Sequence, residues 1–74
     1  MMIEVFVTNV AKKENSVFLK YELLKIFPYS EINFDLEDCD RILRIESLNN
    51  IQVAPEDVIS CLGSNGFECK ILMD

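Results

Sequence analysis

Apolar and polar residues alternate at the start of the chain. Ile3, Val5 and Val7 fall on one side, and Glu4, Phe6 and Thr8 fall on the other. A period of two marks a strand with one buried face, and the pattern gives that face to Ile3, Val5 and Val7. From residue 17 to residue 27 the period becomes helical. Ser16, Leu19, Leu23, Ile26 and Phe27 share one side, and Val17, Tyr21 and Leu24 form a second stripe roughly 160° around. Asn15 or Ser16 is the expected N-cap, and Pro28 ends the helix. Alternation returns over residues 31–36, with Ile32, Phe34 and Leu36 inward. Glu37-Asp38-Cys39-Asp40 then reads as a hairpin turn whose Asx side chains bond their own backbone. Residues 42–46 form a third strand with Leu43 and Ile45 inward and Arg44 outward. Residues 48–53, with Asn49-Asn50, connect to a second helix. Pro55 suits its first position, Glu56 and Asp57 complement its dipole, and Gly66 stops it. Residues 67–72 form the last strand, with Phe67, Cys69 and Ile71 on one face.

The predicted order is β-α-β-β-α-β, an α+β ferredoxin-like fold with a four-stranded antiparallel sheet and both helices on one face. The 74 residues make one domain, 1–74, with a small core. Half of them are apolar, which argues against disorder.

Charge and cysteine usage narrow the function. The net charge is −6. An acidic chain without a basic aromatic patch is a poor nucleic-acid ligand. Lys12, Lys13, Lys20 and Lys25 gather in the first third and could meet an acidic protein. No apolar run is long enough to span a bilayer. The start, Met1-Met2-Ile3-Glu4, lacks the basic and apolar regions of a signal peptide. The expectation is a cytoplasmic protein with no membrane partner. Cys39, Cys61 and Cys69 are odd in number and have no CxxC spacing, so no disulfide framework is expected. Without histidine, the commonest metal ligand and imidazole acid–base chemistry are missing. No nucleophile–base pair, phosphate-cradling glycine loop or poised carboxylate pair is visible, so no enzyme is expected.

Three stretches resemble the heavy-metal-associated domain family, to which copper chaperones belong. They are Val5-Phe6-Val7, the run from Pro28 through Ile32 and Phe34 to Leu36, and the run from Glu56 through Ile59 and Gly66 to Cys69. The resemblance implies a metal site in the first loop, on a motif resembling GMxCxxC. Counting back from Pro28 places its two cysteines at Lys12 and Asn15, its methionine at Val10 and its glycine at Asn9. Soft ions such as Cu(I) need thiolate or thioether ligands, and a lysine ammonium has no lone pair to offer. The motif is therefore lost while the scaffold around it is kept, and no cofactor is expected. Phe67 matches an aromatic that packs beneath the family's metal loop.

The expectation is a non-enzymatic binding module for a protein partner or a second copy of itself. Two candidate surfaces stand out. Phe6, Ile42 and Leu72 would form a patch on the open sheet face, and Val17, Tyr21 and Leu24 lie on the far side of the first helix beside Lys20 and Lys25, with Lys12, Lys13 and Lys20 as candidate contacts. Cys61 and Cys69 read as core residues, and Cys39 as an exposed thiol in an acidic turn. The alternative is copper or zinc held by Cys39, Cys61 or Cys69, in one chain or across a dimer.

Overall fold

A computed structural model describes residues 2–49 and 52–72. Its elements are β1 (Met2–Thr8), α1 (Lys13–Ile26), β2 (Ser30–Asp35), β3 (Ile42–Ser47), α2 (Pro55–Ser64) and β4 (Cys69–Ile71). The strands form one antiparallel sheet in the order β2-β3-β1-β4. The ferredoxin-like layout follows the alternation of periods along the chain. Leu19 and Leu23 of α1 and Val58 and Leu62 of α2 join Ile32, Leu43 and Ile45 in the core, so both helices cover the same face of the sheet. Asn50 and Ile51, part of the expected connecting loop, lie outside the described residues, as does Met1.

The buried face of β1 is the opposite of the one its alternation suggested. Phe6 is 0 % exposed and Thr8 is buried, while Ile3 is 50 % exposed. Register supplies the reason. Phe6 lies opposite Leu43 on one side and Ile71 on the other, in line with the face of β3 that supplies the core. Both faces of β1 carry apolar residues, so alternation alone does not choose between them. The core takes the bulkier side chain, and Phe6 is therefore no part of an exposed patch. Ile42 and Leu72 do lie on the open face. Ile42 pairs with Val7, and the Leu72 N–H donates to the Val5 carbonyl at 3.0 Å.

Helix α1 begins four residues before the expected start. Its N-cap is Lys12, in extended geometry and without a side-chain cap. Asn15 and Ser16 sit inside the first turn, and their N–H groups both donate to the Lys12 carbonyl at 3.1 Å. Ser16 turns its hydroxyl onto the Lys13 carbonyl at 2.7 Å, which satisfies it and lets it be buried. Packing of the Ser16–Leu19–Leu23 face thus overrides the capping preference. Ile26, expected in that face, is exposed in the last turn.

The second helix ends as its sequence suggests. Gly66 adopts φ +86, its N–H donates to the Gly63 carbonyl at 3.0 Å, and the Phe67 N–H reaches the Leu62 carbonyl at 2.9 Å. This pair of bonds is a Schellman stop, which favours glycine at the left-handed position. Phe67 lands against the core.

Candidate functional site

The β1–α1 junction is built on Thr8. Its hydroxyl donates to the Arg41 carbonyl at 2.6 Å and accepts the Val10 N–H at 3.1 Å. The Thr8 N–H donates to the Asp40 carbonyl at 3.2 Å. A buried hydroxyl with both roles filled costs little to desolvate, which explains a threonine on the core face. Arg41 turns the hairpin at φ 47, a region sparsely used by side-chain-bearing residues. It is held there by its N–H on the Asp38 carbonyl at 3.0 Å and its guanidinium on the Leu36 carbonyl.

Asn9 ties the same loop to the start of β4. Its N–H donates to the Glu68 carbonyl at 3.3 Å, and its Oδ1 accepts the Glu68 N–H at 2.8 Å. Its Nδ2 donates to the Glu68 carboxylate at 3.3 Å. Val10 is buried beneath. Lys12 and Lys13 are exposed, and Asn15 is half-buried on the first turn of α1. An ammonium and an amide therefore stand where the junction meets the helix. None of the three thiols belongs to residues 8–16.

The thiols lie on three elements. Cys69, on β4, pairs with Thr8 and packs against the core. Burial, with the nearby Cys61 charge as a second cause, pushes its pKa up to about 11. Cys61, on α2, is also raised, by burial and then by Glu22. A raised pKa lowers the thiolate fraction on which both nucleophilic attack and metal ligation depend. Cys39 is exposed in the hairpin turn. With Asp38 and Asp40 it forms the one group of three His, Cys, Asp or Glu ligand atoms within 4.8 Å found among the described residues. Asp38 Oδ1 already accepts the Asp40 N–H at 2.8 Å, an Asx turn that explains the cluster without an ion.

The exposed apolar surface is divided. On α1, Val17 is 44 % and Tyr21 65 % exposed, while Leu24 packs partly against the core. Phe18, half exposed beside them, was not singled out from sequence; its position one residue from Val17 on an exposed turn was the available signal. Lys20 is exposed, and Lys25 pairs with Glu22 at 2.8 Å along the helix. On the open sheet face, Ile3, Val5 and Val7 replace Phe6 as the neighbours of Ile42 and Leu72. A separate apolar pocket of about 210 Å³ lies at the other end of α1, between Ile26, Phe27, Tyr29 and Val53. Among the described residues, no helix is long and apolar enough to cross a membrane. No family model, curated protein or solved structure matches the chain.

Proposed function

We propose that this chain is a non-enzymatic binding module, a diverged relative of the heavy-metal-associated domains that has lost their metal ligands and acts by docking a protein or a second copy of itself. One observation carries the reading. The junction where the resemblance puts two thiolates holds Lys12 as the N-cap of α1 and Asn15 in its first turn. Neither is a ligand for a soft ion. The hydrogen bonds of Thr8 and Asn9 tie this loop to the hairpin turn and to Glu68 without a metal. The exposed residues Val17, Phe18 and Tyr21 supply apolar surface for a partner. A cytoplasmic setting fits the three free thiols.

Anaerobic titration with Cu(I) against a competing chelator tests the reading. The expected outcome is no stoichiometric uptake that survives the competitor. Tight uptake of one equivalent, abolished by replacing Cys39, Cys61 or Cys69 with serine, would return the chain to metal handling.

A further inference from the structure

We propose that the open face of the sheet docks the same face of a second copy of the chain, with the two-fold axis running along the strands between β1 and β3. The inference rests on the reading of the chain as a docking module and names the occupant of one surface. Both helices pack on the other face of the sheet. The open face presents Ile3, 50 % exposed, Leu72, 40 % exposed, and the half-buried Val5, Val7 and Ile42. Strand pairing sorts it into rows that cross the sheet. Lys70, Val7, Ile42 and Asp35 are successive partners from β4 to β2, and partners in an antiparallel ladder share a side-chain face. This row therefore reads cation, apolar, apolar, anion. The next row holds Leu72, Val5, Arg44 and Asn33. The third holds Ile3, Glu46 and Glu31.

The first row is its own complement when reversed. Rotation about an axis along the strands lays β4 over β2 of the second copy and β1 over β3 of the second copy. Lys70 then meets Asp35 of the second copy, and Val7 meets Ile42 of the second copy, each twice. In the next row the stem of Arg44 crosses Val5 of the second copy, one row from the Glu46 carboxylate of that copy. An axis across the strands lays each strand on its own copy. At the first row it sets Lys70 on Lys70, and at the second it sets Arg44 on Arg44 and Glu31 on Asp35, which like charges oppose. A surface that complements itself about a two-fold is what an isologous contact requires, and this is what selects a second copy as the occupant. Lys70 and Asp35 do not satisfy each other within one chain, because they stand three strand spacings, about 14 Å, apart. Lys70 makes no ion pair among the described residues. Asp35 accepts the Glu37 N–H at 3.3 Å through Oδ1, which leaves Oδ2 to face outward. Sheets packed face to face stand about 10 Å apart, a gap that a lysine and an aspartate reaching toward each other close.

Sedimentation equilibrium at low salt tests the pairing by exchange of charge. Lys70→Glu and Asp35→Lys each set two like-charge pairs across the axis, and each is expected to weaken association about tenfold. An equal mixture of the two variants is expected to associate about as tightly as the wild type, because in a mixed pair every carboxylate again meets an ammonium. The double variant Lys70→Glu/Asp35→Lys is expected to match the wild type for the same reason. Tyr21→Glu, on the exposed side of α1, is expected to leave association unchanged. A wild-type chain that stays monomeric to about millimolar concentration overturns the proposal. So do single variants that associate like the wild type, a mixture no tighter than its components, and dissociation by Tyr21→Glu. The docking reading fails separately, by thiol-dependent Cu(I) uptake, so a monomer that ignores Cu(I) removes only the self-pairing.

Discussion

At the β1–α1 junction the N–H groups of Thr8, Asn9 and Val10 all have partners, on the Asp40 carbonyl, the Glu68 carbonyl and the Thr8 hydroxyl. On α1 the side chains of Val17, Phe18 and Tyr21 are exposed while the helix closes its own backbone bonds. The two regions carry opposite kinds of unfilled capacity. The junction has the N–H groups of Thr8, Asn9 and Val10 bonded internally and presents Asn9, Ala11, Lys12 and Lys13 to solvent. The outer face of α1 presents apolar side chains, with Val17, Phe18 and Tyr21 all exposed. A loop that closes its own bonds has little need of a metal to hold it. A contiguous exposed apolar patch often marks an interface.

Several substitutions break or sharpen that contrast. The largest effect is expected at Phe6, which anchors β1 beneath the closed junction. Phe6→Ala is expected to cost about 3–5 kcal/mol, a large share of the stability of a domain this size. Val5→Ala, on the open face, is expected to cost about 1 kcal/mol. Urea unfolding of both reads the difference, and equal losses would reverse the assignment of the two faces.

Thr8→Val comes next. It keeps the shape but removes the hydroxyl shared by the Arg41 carbonyl and the Val10 N–H. Leaving those two groups without partners is expected to cost about 2–3 kcal/mol in the same assay. A loss under about 0.5 kcal/mol would mean that water replaces the hydroxyl and that the junction is not closed in the sense argued above.

The smallest effect concerns Cys69, which lies between the junction and the core. Its folded pKa is raised from 9.0 to about 11, so the fold favours the neutral thiol. That contribution is complete below pH 9 and is lost as pH rises from about 9 toward 11. Stability measured across this range is expected to fall for the wild type and to fall less for Cys69→Val. Alkylation at neutral pH is expected to mark the exposed Cys39 before Cys61 and Cys69.

The order of elements was legible because the periods change cleanly and Pro28, Pro55 and Gly66 punctuate them. Leu19, Leu23, Ile32, Leu43, Ile45, Val58 and Leu62 face the core as their spacing implies. The face of β1 was not legible. Both of its faces are apolar, and only pairing with β3 and β4 decides between them. Placing the apolar residues of β3 inward and then asking which residues of β1 stand beside Leu43 would have picked Phe6. The start of α1 was obscured by Asn15 and Ser16, good capping types that serve inside the helix instead. The clamp between Asn9 and Glu68 joins residues 59 apart, and nothing local in either segment announces it. That β2 lies at one end of the sheet follows from strand order, a property of the whole sheet rather than of any one stretch.

Amide hydrogen exchange, residue by residue and at several protein concentrations, tests the contrast most directly. Val10 is expected to exchange only through global unfolding at every concentration. Lys12 and Lys13, exposed at the start of α1, are expected to exchange fast. Exchange at Val10 as fast as at Lys13 would contradict a closed junction.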